Sequence, residues 1–240
     1  MAIIRVDSKA AFQRGLNRRL KVSDSDTIAQ FAHHFFADLS LGDLRQRHWE
    51  DVTASVCSSW KFYEGFNGTS PQIRIVPGRG NYLVIEVASR HKPFLLESIR
   101  IELNQSELVL SDVQQCLMGV VRNDQRLSID DEIDVNESLI RLEIGSSGAP
   151  ANLADRIARV MGLVRQVVED FPSMRGQLKA WSSVIHQYPQ ENESCELLDW
   201  FSLNNFTFLG YEEFKPIKNG QAEVQPESRL GLARPDKSAD

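Results

Sequence analysis

Three cysteines in 240 residues, Cys57, Cys116 and Cys195, are too few and too widely spaced for a disulfide framework or a paired-cysteine zinc motif. They read as buried free thiols. No apolar run approaches the roughly 20 residues that span a bilayer, and the first 21 residues lack the charged start, apolar stretch and small-residue cleavage site of a signal peptide. The expectation is a cytoplasmic chain with no membrane partner, in which the Asn-x-Ser/Thr matches never meet glycosylating enzymes. A basic excess is also missing. With 27 Lys and Arg against 33 Asp and Glu the net charge is −6, which argues against a surface dominated by phosphate contacts and so against a nucleic-acid partner.

Reactive motifs are absent too. The chain contains no GxxxxGK[ST] loop, no GxSxG elbow and no HExxH pair. Gly78-Arg79-Gly80 looks like part of a dinucleotide loop, but it precedes an apolar strand and no third glycine opens a helix. His33 and His34 are neighbours, so on a helix they diverge by about 100° and cannot act as i, i+4 metal ligands. Asp130, Asp131 and Asp134 lack the glycine hinge and terminal glutamate of a calcium loop, and read as a solvated hairpin tip.

What remains is patterning. At 240 residues the length exceeds the roughly 100–200 of a single domain, and 42% hydrophobic with 25% charged residues is ordinary for a globular chain. Ile28, Phe31, Ala32, Phe35, Phe36 and Leu39 follow helical spacing behind the cap-rich Ser23–Asp26, and Trp49, Val52, Val56, Trp60 and Tyr63 mark a second helix to about Phe66. Alternation then takes over: Ile73 and Ile75, Tyr82–Val87, Leu108–Val121 as a long strand or bulged pair, and Ser138–Ile144 with one apolar and one charged face. Between them Pro93 starts a helix carrying Leu96, Ile99 and Leu103. Asn152 caps another that Pro172 is expected to end. This order predicts an α+β sandwich, most of a split β-α-β unit with helices on one face of an antiparallel-containing sheet. A further helical stretch follows from about Met174, with a break near Pro189. Phe206–Phe214, the Lys218-Asn219-Gly220 turn and Ala222–Val224 then predict a hairpin. The implied division is a helical region over 1–70, the α+β domain over 71–172, a helical connector over 173–204, and the start of a truncated β-containing domain over 205–240. Trp49, Trp60, Trp181 and Trp200 lie on helical stripes and are expected in the core.

Four stretches, FAHHFFADLSLGDLRQR (31–47), VIEVASRHKPFLLESIRIELNQ (84–105), ESLIRLEI (137–144) and LDWFSLNNFTFLGYEEF (198–214), together resemble the N-terminal region of the large bacterial NAD-specific glutamate dehydrogenases. The resemblance implies a longer enzyme that oxidises L-glutamate to 2-oxoglutarate and ammonia with NAD, its catalytic and cofactor-binding parts lying beyond this stretch. It also implies that 82–171 is an ACT-like, ferredoxin-like β-α-β-β-α-β domain of the kind used for amino-acid sensing and side-by-side pairing. Ligand-binding members carry an Asn-Arg-Pro-Gly type loop after the first strand. Here His91-Lys92-Pro93-Phe94 stands there, with Phe94 in place of glycine and Val109 about where the facing strand often offers asparagine.

Two functional readings follow. The first is a non-catalytic regulatory and assembly region, itself without cofactor or metal, partnered by the remainder of its chain and by further copies in a homo-oligomer. The alternative is a free-standing amino-acid sensor with Arg90, His91 and Lys92 near a helix start as an anion pocket for a small effector. An independent enzyme would need a nucleophile, base and orienting group that no local signature supplies.

Overall fold

The computed structural model describes residues 2–123, 126–188 and 192–235. Its first helix, α1 (Lys9–Leu20), was not signalled by any strong stripe; Ser8 caps it by accepting from the Ala11 amide, and Lys21 closes it in the left-handed region. α2 (Thr27–Phe35) ends before Phe36, so the helix expected to reach Leu39 is shorter. A Ser40–Asp43 capping box then opens the short α3 (Leu41–Arg45), and α4 (Trp49–Glu64) buries Trp49, Val52, Val56 and Tyr63. Phe12 stacks on Trp49 at 5.5 Å, and Phe31 lies against Trp60 and Tyr63, so aromatic contacts join these helices.

Strands β1 (Gln72–Pro77), β2 (Tyr82–Arg90), β3 (Leu110–Met118) and β6 (Glu137–Gly145) form one antiparallel sheet in the order β1-β2-β6-β3. After β3 the chain turns at Gly119, where a Cβ would lie 2.3 Å from the Ile133 carbonyl oxygen, and makes a separate hairpin from β4 (Val120–Asn123) and β5 (Arg126–Ile129). The long strand or bulged pair expected over Leu108–Val121 is instead two strands in separate sheets, parted at Gly119. In a complete β-α-β-β-α-β unit the last strand would follow the second helix and flank the first strand. Here β1, which precedes the unit in the chain, holds that place beside β2.

By its contacts the chain divides into two units, residues 1–91 with 99–158, and 92–98 with 159–240. In the first unit the sheet face bearing Ile85, Val87, Ile140, Leu142 and Ile144 is fully buried, as are Ile99 and Leu103 of α5 (Leu95–Gln105) and Leu153 and Ile157 of α6 (Leu153–Ile185). The opposite face carries Ala88, Cys116, Met118 and Leu139 into one core with Phe31, Phe35, Val56, Tyr63 and Phe66 of the N-terminal helices.

That second cover corrects the expectation of helices on one face only. The charged face of β6 is not solvated: Glu86, Glu137 and Arg141 are each at most 9% exposed. Burial is tolerable because the register sets opposite charges side by side. Arg74, Glu86, Arg141 and Gln114 form one row across the four strands. Arg74 Nε donates to Glu86 at 2.8 Å, the Ser59 hydroxyl of α4 donates to the same carboxylate, and Gln114 donates to the Phe35 carbonyl of α2.

In the second unit α6 runs through Pro172, which was expected to end it. The Val168 carbonyl loses its helical donor there, but Phe171 packs on Phe208 at 6.2 Å and Met174 is buried, so packing on both sides holds the helix. α7 (Asn192–Trp200) runs on into a π-helical turn, and β7 (Gly210–Pro216) pairs with β8 (Ala222–Gly231) across a turn with Asn219 and Gly220 at positive φ. The break near Pro189 falls outside the described residues. Trp49 is buried and Trp60 half-buried, but Trp181 and Trp200 are 47% and 50% exposed, against the core reading. Cys116 and Cys195 are buried; Cys57 is exposed.

The tightest buried charge sets a test. The Glu137 carboxylate accepts from Tyr63 Oη at 2.6 Å and from Arg122 Nε at 3.0 Å. Arg122→Ala leaves that carboxylate buried without its cation and is expected to cost about 3–5 kcal/mol, whereas the triple change Tyr63→Phe, Arg122→Met, Glu137→Leu stays near wild type. Urea denaturation measures both, and a single-mutant cost below about 1 kcal/mol would show that the pair is not needed.

Candidate functional site

Every residue of the expected anion pocket sits at or just after the end of β2. Arg90 Nε donates to the Gly68 carbonyl at 2.6 Å, a bond set by the Asn67-Gly68 turn with Gly68 at φ +76°. The His91 amide donates to the Asn136 carbonyl at 2.9 Å, which pins the loop to the strand before β6; its imidazole Nδ1 is buried with no hydrogen-bond partner. In the other unit the Lys92 ammonium faces Glu169 of α6 at 3.4 Å. Arg90 and Lys92 thus have partners within the protein, and of the three residues only His91 keeps a buried polar atom unanswered.

Phe94 is where the backbone departs most from what its side chain prefers. Its φ is +65°, the left-handed region that favours glycine, while its ring is 57% exposed just ahead of α5. The substitution therefore changes the side chain and not the backbone geometry of the loop. Val109 is exposed, and its carbonyl accepts from the Gly145 amide as β3 begins.

Sequence reading missed one cluster with the residue types of nucleophilic catalysis. Ser182 and His186 are four apart on α6, and α7 brings Asp199 to them. The Ser182 hydroxyl donates to Asp199 Oδ1 at 2.7 Å, His186 Nδ1 lies 2.8 Å from the Ser182 carbonyl, and Nε2 is 3.7 Å from Asp199 Oδ2. A carbonyl only accepts, so Nδ1 carries the proton and is not a base for the serine. The serine is bonded to the carboxylate directly, which makes the cluster a clasp between two helices. The i, i+4 half was visible in the sequence; Asp199 was not, because it arrives through a turn.

The buried carboxylate near the Arg90 loop is equally occupied. Burial, then the hydrogen bond to Glu137, pushes the Tyr63 phenol well above its ordinary pKa. Burial opposes the charge on Arg122, yet the bond to and charge of Glu137 together with Tyr63 outweigh it and hold the guanidinium above its usual range. That guanidinium also lies over the rings of Tyr63 and Phe66, at 5.1 and 5.2 Å. Asp130–Asp134 join β5 to β6, which do not pair, so this stretch is a connecting loop and not the expected hairpin tip; in it Asp131 pairs with His34 at 2.9 Å and Asp130 accepts from the Glu132 amide. Among the described residues no group of three or more His, Cys, Asp or Glu is placed to hold a metal ion, and no described helix is long and apolar enough to cross a membrane.

The stretch that holds the sheet and the Arg90–Lys92 loop matches a known family. Residues 31–159, just over half of the chain, match the glutamate dehydrogenase ACT1 domain. The chain belongs to this family. Two curated relatives, both NAD-specific glutamate dehydrogenases, extend the likeness: that of Halomonas elongata is 28% identical over 97% of the chain, and that of Pseudomonas aeruginosa 31% identical over 98%. The chain spans 16% of the length of each. The match begins at Phe31, inside α2, so it takes in α4 as well as the sheet.

For this ACT1 domain, the glycine-type backbone at Phe94 gives a direct test. Phe94→Gly is expected to be more stable than Phe94→Ala by about 1 kcal/mol, since both remove an exposed ring and only alanine keeps the left-handed strain. Equal denaturation midpoints for the two variants would show that no strain resides there.

Proposed function

We propose that this chain is the N-terminal regulatory and assembly region of a large NAD-specific glutamate dehydrogenase, whose full length converts L-glutamate and NAD to 2-oxoglutarate, ammonia and NADH. The observation that carries this reading is coverage: relatives with that name align along nearly all of the chain, while the chain accounts for 16% of theirs. The chemistry within the chain supports it. Its buried charges are matched in pairs, and its Ser–His–Asp cluster joins two helices instead of activating a nucleophile. Substrate and NAD then belong to the rest of the enzyme, and the contribution of this region is shape, rigidity and surface for a cytoplasmic homo-oligomer. The 1–70 helices serve as the second cover of the sheet.

A small amino-acid effector at Arg90, His91 and Lys92 is the second reading. It is favoured by the buried, unanswered Nδ1 of His91, beside a backbone that retains the geometry of glycine at Phe94.

The full-length protein is expected to reduce NAD in a glutamate-dependent manner, and residues 1–240 alone to give none. Turnover by the isolated chain, or a full-length protein that leaves glutamate untouched, overturns the first reading. For the second, an amino acid at 100 times its dissociation constant adds about 2.7 kcal/mol, a rise in Tm of roughly 2–4 °C that His91→Ala removes. No shift with any amino acid sinks it.

A further inference from the structure

The second unit carries an apolar surface that its own residues leave open. On α6, Trp181 and Val184 lie at i and i+3, with Tyr188 just past the helix end, and on α7 Leu197 and Trp200 recur at i and i+3, all exposed. Two half-exposed indoles with these neighbours amount to several hundred Å² of apolar area, on the order of the largest patch a soluble monomer shows and enough to mark a contact surface.

This surface is held in place. Trp181 Nε1 donates to Tyr211 Oη at 2.7 Å, and Tyr211 donates to Glu213 at 2.6 Å, so the indole's polar end is fixed while its rings stay open. The Ser182–Asp199 bond sets α7 on α6. Asp170 of α6 accepts from the Gly231 amide and from Arg234, each at 2.8 Å, which ties the β7–β8 hairpin to the same helix. Polar bonds thus preorganise an apolar face, the arrangement that lowers the entropic cost of docking. The hairpin itself has two strands among the described residues, and a two-stranded ribbon is marginal in water without further strands or a cover.

We infer that this face is the seat of the polypeptide that follows these residues in the longer relatives, laid over Trp181, Leu197 and Trp200. The inference rests on the proposed function, because it takes the partner from the coverage of 16%. It selects that occupant over a second copy because a tethered segment acts at an effective concentration of about millimolar, well above that of a free chain.

Hydroxyl-radical footprinting of the full-length protein, read by mass spectrometry, tests it. Trp181 and Trp200 are expected to label several-fold more slowly in the full-length chain than in residues 1–240, with protection unchanged on dilution. Trp200→Asp in the full-length chain is expected to expose Trp181 while labelling of Trp60 stays the same, and Trp200→Phe to keep the protection. Equal labelling in the two chains overturns the inference. So does protection already present in residues 1–240 that disappears on dilution, which assigns the face to a second copy. Footprinting needs no turnover, so its failure is distinct from a failure to oxidise glutamate.

Discussion

Two carboxylates, Glu86 and Glu137, are 1% exposed beneath the N-terminal helices, and an unpaired carboxylate there would cost several kcal/mol. The helices can cover the sheet only because each carboxylate meets a guanidinium from a different strand, Arg74 of β1 for one and Arg122 of β4 for the other, plus a hydroxyl from α4. This requirement links pieces that lie far apart in the chain. β1 has to sit beside β2 for Arg74 to reach Glu86, and the β4–β5 hairpin has to fold back for Arg122 to reach Glu137. Gly119 lets it do so, because any side chain there would collide with the carbonyls of Asp130 and Ile133.

Buried ion pairs of this sort add little stability over an apolar core, but they constrain register. A slip of one residue in β2 would turn Glu86 onto the apolar face, toward Ile140 and Leu142 of β6 and away from Arg74 and Arg141, and would send Ile85 and Val87 to the charged face. The aromatic cluster of Phe31, Trp60 and Tyr63 supplies area without direction; the charge rows supply direction. Together they account for a sheet covered on both faces, with four helices on one and α5 and α6 on the other.

Periodicity carried much of this architecture. Alternation in Tyr82–Val87 and Ser138–Ile144, helical spacing in α2 and α4, and the Lys218-Asn219-Gly220 turn each report the local environment of their own residues, so they survive folding. The fate of Arg141 and Glu143 does not work that way. Their alternation with Ile140 and Leu142 marks a polar face, but whether that face meets water depends on Glu86 and Gln114, one strand away on either side. Pro172 misled for a related reason: its helix-breaking tendency is local, while the packing of Phe171 on Phe208 that outweighs it is not. At the candidate site, the position of Arg90, His91 and Lys92 near a helix start was legible, but the Gly68 carbonyl and Glu169 that engage two of them come from distant turns and helices. Phe94 shows the converse. Its identity marks a departure from the glycine of ligand-binding loops, but its left-handed φ could not be read from a phenylalanine.

The two units consequently differ in what they leave open. In the first, charges are matched and both broad faces are covered, so what it presents outward is edges and loops. The second is unfinished by the same criteria: its hairpin has two strands, two of its tryptophans are half exposed, and its hydrogen bonds serve to orient apolar surface instead of hiding it.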